Sequence, residues 1–156
     1  MSLQSLGSMT LVFLATLQAA VAADFSTPIA ALDSLEEAYT QRSIEAAVAA
    51  KDFGAEAREI LQSVGRGDPK IESDPSMIKD LTHILELAYR KEIKEKGFPD
   101  MSKLKCEKSQ EAPRRPDLIP IRERCQWPDG HASSEVIFAV KTMAGWKIIY
   151  VPDKPT

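Results

Sequence analysis

The sequence predicts an α+β domain in which N-terminal helices pack on a curved four-stranded antiparallel meander. Three observations predict it. Residues 27–96 repeat apolar residues at helical spacing behind two start signals, Thr27-Pro28 and Asp74-Pro75. Residues 103–151 switch to period two, the spacing of strands. Turn chemistry at Asp129-Gly130 and Met143-Ala144-Gly145 cuts that second half into consecutive strands joined by short hairpins.

Residues 1–23 precede this domain and read as a cleavable export signal. Met9 to Ala20 is an apolar run of h-region length, and Ala20-Val21-Ala22-Ala23 offers small residues for cleavage after Ala22 or Ala23. The run is short for a membrane span, and no basic flank follows it. The expected location is the periplasm or the exterior, with no membrane anchor once the signal is removed. The remaining residues 24–156 make one domain.

The formal net charge is −3, which speaks against nucleic-acid binding by overall balance. The charge is unevenly spread. Residues 24–63 hold eight acids and three bases, and residues 90–125 hold eleven bases and seven acids. Acidic helix faces beside a mixed strand region account for this; a basic surface that steers an acidic partner is the alternative. The only two cysteines, Cys106 and Cys125, read as one disulfide in an exported chain.

The helices follow in order. Thr27 caps the first, with Ile29, Leu32, Leu35 and Tyr39 as its apolar stripe. A short Ala-rich helix runs from Ile44 to about Ala50. Asp52 caps the third, whose stripe is Ala57, Ile60, Leu61 and Val64 and whose stop is Gly65. Gly67-Asp68-Pro69 is a loop. The longest helix runs from Pro75 to about Lys96, with Met77, Ile78, Leu81, Ile84, Leu85 and Ala88 expected in the core and Gly97 as the stop.

Strands are expected at 103–109, 119–127, 133–142 and 146–151. A Cys106–Cys125 bridge between the first two makes paired numbers sum to 231, setting Lys108 against Glu123 and Glu107 against Arg124. A two-residue Asp129-Gly130 turn makes the next pair sum to 259. Arg124 then faces Glu135, and Leu104, Ile121, Trp127 and Phe138 share one face. The last two strands are apolar on both faces, so both faces need a cover. Ile137, Ala139, Ile149 and Val151 are the outer-face candidates, awaiting a partner protein, a second copy or a ligand.

The order helix, short helix, helix, meander resembles the NTF2-like (cystatin-like, SnoaL-type) superfamily, as an exported bacterial member. The echoes are the helix from Ala30 to Tyr39, the segment from Ile44 that ends in Lys51-Asp52-Phe53, and the closing Gly145-Trp146-Lys147. The resemblance implies a cone whose sheet wraps a long helix around a pocket, often with dimerisation through the sheet. Members include isomerases, dehydratases, small-ligand binders and bacterial immunity proteins, so the fold does not carry a function with it.

Candidate chemistry is sparse. His83 sits on the long helix at the edge of its stripe, and His131 follows the Asp129-Gly130 turn. Glu123 falls on an apolar sheet face, where a carboxyl is a candidate base; a cross-strand pair with Lys108 is the plainer explanation. Tyr39, Phe53, Tyr89, Trp127 and Trp146 line a pocket or fill a core. No His-x-x-x-His, Cys-x-x-Cys, P-loop or Gly-x-Ser-x-Gly pattern occurs, so neither metal nor cofactor is expected. The leading expectation is a non-catalytic module that binds another protein, immunity-type proteins included. A carrier of a small apolar ligand comes next, then an isomerase- or dehydratase-like enzyme using Glu123 or His83.

Overall fold

A computed structural model describes residues 22–151; most of the expected signal, residues 1–23, therefore lies outside the described residues. Five helices, α1 (Pro28–Thr40), α2 (Ile44–Ala49), α3 (Phe53–Gly65), α4 (Pro69–Glu72) and α5 (Pro75–Lys96), precede four strands, β1 (Lys105–Gln110), β2 (Leu118–Gln126), β3 (Ala132–Thr142) and β4 (Gly145–Ile149). The strands form one antiparallel sheet in the order β1-β2-β3-β4, which makes β1 and β4 its edges. The class and the meander are those the sequence predicts.

Local chemistry sets the helix starts. The Thr27, Ser43, Asp52, Asp68 and Asp74 side chains each accept a backbone N–H of the first turn behind them, which satisfies donors that have no partner within the helix. Asp68-Pro69, read as loop, starts the single turn of α4 by the same chemistry.

The β1–β2 register is the one the cysteines imply, with Cys106 opposite Cys125 and Lys108 opposite Glu123. The β2–β3 register is not as expected. Arg124 faces Ser134, Glu123 faces Glu135, and Ile121 faces Ile137, one residue away from the predicted pairing. The cause is Pro128. The loop is the three residues Pro128-Asp129-Gly130, closed by Trp127 and His131, whose backbones bond at 2.8 Å. Proline fixes φ near the value that the first turn position needs, and Gly130 takes the left-handed position at φ 85°. A one-residue slip exchanges the faces of a strand. Phe138 thus lies on the other sheet face from Ile121, and Arg124 has one acid across from it rather than two. The second hairpin is also tighter than expected, since Gly145 pairs with Thr142 and only Met143-Ala144 turn.

One sheet face, carrying Ile119, Ile121, Ala139 and Ile148, packs on α1 through Ala31, Leu32, Leu35 and Ala38. The other, carrying Leu118, Phe138, Val140 and Ile149, packs on Ala55 of α3. The 111–117 loop folds over this second face: Arg114 stacks on Phe138 at 4.2 Å, and Arg115 bonds Glu59 of α3 at 2.5 Å. The chain therefore covers both apolar faces by itself. Ile137 and Ala139 face α1, and Ile149 and Val151 belong to the opposite cluster, so these four form no common outer surface.

The helix that lies across the sheet is α1. The longer α5 packs on α3 and α2. Such a helix needs only a narrow apolar stripe, and Ile93 is its one fully buried residue. Met77, Ile84 and Leu87 are 40, 60 and 52 % exposed, contrary to the core position expected for Met77 and Ile84. Ala88 and Val64 are exposed as well.

Candidate functional site: two buried glutamates

Two charged side chains are buried among the described residues, Glu56 at 5 % and Glu123 at 4 % exposure. Burying an ionised carboxylate is costly unless charge or hydrogen bonds compensate. The two sites meet that demand differently.

Glu56 lies in the first turn of α3, placed there by the Asp52 cap. Its Oε2 is 3.1 Å from the Lys51 ammonium and accepts the Tyr150 N–H at 3.0 Å. Lys51 is held because its backbone bridges in parallel to Ile148 of β4. The ammonium also lies 5.3 Å from the Phe53 ring centre and 5.1 Å from that of Tyr89, within cation–π range. The Tyr39 and Tyr89 hydroxyls bond each other at 2.8 Å. Burial pushes both phenols above their ordinary value, so neither is a proton source near neutrality.

Glu123 faces α1 from β2. Its neighbours are Glu36 of α1, Lys108 of β1 and, directly opposite, Glu135 of β3. Lys108 does not serve Glu123 first, as a simple cross-strand pair requires. Its ammonium bonds Asp33 at 2.6 Å and Glu36 at 2.5 Å and stays 3.9 Å from Glu123. Burial pulls Lys108 down, but the bonds to Asp33 and Glu36 outweigh it and hold the ammonium above its ordinary value. Glu123 is pushed up to about 8, chiefly by burial, then by the hydrogen bond and charge of Glu36. Glu36 Oε1 and Glu123 Oε1 are both buried with no donor. A proton on Glu123 would supply the donor that these two oxygens lack.

The Cys106 and Cys125 sulfurs are 2.01 Å apart. One Glu123 carboxylate oxygen and both sulfurs lie within 4.8 Å of one another. Because the sulfurs are bonded to each other, the trio is not a set of free metal ligands.

The structure gathers some sequence candidates and disperses others. Phe53 and Tyr89 meet around Lys51, their ring centres 5.5 Å apart, and Tyr39 joins them through its bond to Tyr89. Trp146 is buried in the α1-side core, against which Tyr39 and Tyr89 also pack. These aromatics fill space against one another. His83 is exposed on α5. Trp127 stacks on His131 at the β2–β3 turn, 5.4 Å between ring centres, and takes no part in either cluster. Sequence reasoning missed Glu36, Lys51 and Glu56. The only signal for Glu36 was an acid one residue after Leu35 of the stripe, and solvated helix faces give that signal too.

Among the described residues, no helix is long and apolar enough to cross a membrane. Comparison with known proteins returned no family model, no curated protein and no solved structure that matches this chain.

Proposed function

We propose that this protein acts by binding rather than by turnover, as an exported module whose docking surface is the outer face of α5 and whose first partner is a second copy of itself. The observation that carries this reading is the exposure of Ile84 and Leu87 in mid-helix, at 60 and 52 %. The export signal and the cysteine pair favour an extracytoplasmic setting, and the NTF2-like likeness favours a fold that tolerates many partners. The sheet-borne interface that the likeness implies has no support, because the chain covers both sheet faces itself.

The pattern on α5 selects the occupant. Met77, Asp80, Ile84, Leu87, Lys91 and Lys94 recur at alternating spacings of three and four, the spacing of a coiled-coil seam, with Ile84 and Leu87 apolar at its centre and Asp80, Lys91 and Lys94 charged. Two α5 helices laid antiparallel about a point between Ile84 and Leu87 set Ile84 of each copy against Leu87 of the other. The same operation sets Asp80 against Lys91, twice. Apolar centre and charged flanks are then complementary under one two-fold axis.

Light scattering across a concentration series tests it. The wild-type chain is expected to dimerise, and Asp80→Lys to weaken the dimer. Asp80→Lys combined with Lys91→Asp is expected to restore it. A monomer at every concentration, or a dimer indifferent to both the single and the double change, overturns the reading. Pocket enzymology has less support: the aromatic candidates pack on each other, and His83 is exposed on α5.

A further inference from the structure

We propose that the Cys106–Cys125 disulfide is a thiol-exchange site, not only a staple, and that Glu123 is the proton donor to the Cys125 sulfur when a dithiol reductant opens the bridge. Three placements carry this. A Glu123 carboxylate oxygen lies within 4.8 Å of both sulfurs, a distance that a small side-chain adjustment or one water closes. The two sulfurs differ in access, Cys106 being half-buried and Cys125 buried. Glu123 has an unpaired buried oxygen.

The chemistry balances. A thiolate of the dithiol attacks the accessible Cys106 Sγ, forming a mixed disulfide and breaking the bond to Cys125. The departing Cys125 thiolate takes the Glu123 proton, so no bare thiolate is left in an apolar site. The second thiol of the reductant gives its proton up to the Glu123 carboxylate or to solvent. Its sulfur then attacks the reductant's own sulfur in the mixed disulfide, closes a cyclic disulfide and releases Cys106 as a thiolate, which takes a proton from solvent. The reductant loses two electrons, and the protein gains two thiols. Edge strand β1 also carries Lys108, so opening the bridge loosens the strand whose cation ties α1 to the sheet.

The charged groups around the donor are Glu36 from α1, Lys108 from β1 and Glu135 from β3, and Asp33 of α1 holds the Lys108 ammonium. They set the pH window in which the proton is available, and Glu123 loses it at about 8. The experiment is reduction of the full chain by dithiothreitol from pH 6 to 9. Free thiols are trapped by alkylation and counted by mass, with rates divided by the dithiothreitol thiolate concentration. The wild type is expected to react in first order in dithiothreitol, with a normalised rate that falls as pH rises through about 8. Glu123→Gln is expected to be roughly a hundredfold slower at pH 7 and flat with pH, the lower end of what a positioned proton transfer contributes. Should Glu123→Gln not fold, Glu36→Gln keeps the donor and removes the neighbour that raises it, so the fall should move to lower pH. A flat wild-type profile overturns the proposal. So does a rate independent of dithiothreitol, which means reduction only after unfolding, or a Glu123→Gln rate equal to that of the wild type.

Discussion

Glu56 and Glu123 are buried to the same degree in one small domain, yet only one is compensated. At Glu56 the cation comes from Lys51, five residues earlier in the chain, and the N–H of Tyr150 completes the site. At Glu123 the nearest cation already serves two other acids, and Glu36 and Glu135 add negative charge. Burial alone does not make a reactive carboxyl. The difference lies in how many acids share a cation, and it separates a structural ion pair from a group that holds a proton near neutrality.

The largest expected effect comes from breaking the compensated site. Lys51→Met leaves Glu56 buried without a cation and is expected to cost about 3–5 kcal/mol in chemical denaturation. Adding Glu56→Gln should recover part of that loss, because the amide oxygen still accepts the Tyr150 N–H. No recovery would mean that Lys51 acts through its contacts with Phe53 and Tyr89 instead.

Removing the wall beside the other site comes next. Cys106→Ala with Cys125→Ala is expected to cost roughly 3 kcal/mol by the chain-entropy model, read as a lower denaturation midpoint. An unchanged midpoint would leave the bridge without a structural contribution.

The third test sharpens the contrast through pH. The Glu123 carboxyl is raised from 4.5 to about 8 in the folded chain, so the folded state holds a proton that the unfolded chain has released. Its contribution is fully present below pH 4.5 and is lost as pH rises through about 8. Wild-type stability should therefore fall across that window, by on the order of 2 kcal/mol once relaxation and water entry trim the full linkage value. Glu123→Gln should flatten the fall and be at least as stable as wild type at pH 9. A parallel fall in the variant would assign the titration to another group.

The smallest effect on stability is expected at α5. Ile84→Glu should change the unfolding free energy by no more than about 0.5 kcal/mol, as an exposed substitution does, while abolishing the dimer. A large loss of stability would place Ile84 in a core that the fold does not show.

Much of the architecture was legible because it depends on neighbours in sequence. Thr27-Pro28 and Asp74-Pro75 start helices by capping, and the cysteine pair sets the β1–β2 register because a disulfide bridges residues that lie opposite. Legibility failed where a neighbour was weighed wrongly, as at Pro128. Asp129-Gly130 suggests a two-residue turn, yet the proline before it cannot continue the strand ladder and begins the loop one residue earlier. It failed again where the competing element was remote. Met77 and Ile84 have the spacing of a core stripe, but periodicity does not say how wide a surface the neighbouring helix offers.

By itself the sequence determined the segment order, the caps, the meander and the pairing of Cys106 with Cys125, because each follows from chemistry within a few residues or from a covalent constraint. Only the tertiary structure decided that α1 covers the sheet, that α5 leaves Ile84 and Leu87 in water, and that Glu36 comes to rest beside Glu123. Those outcomes depend on which surfaces meet, and a carboxyl's proton affinity is set by charges brought near it through space rather than along the chain.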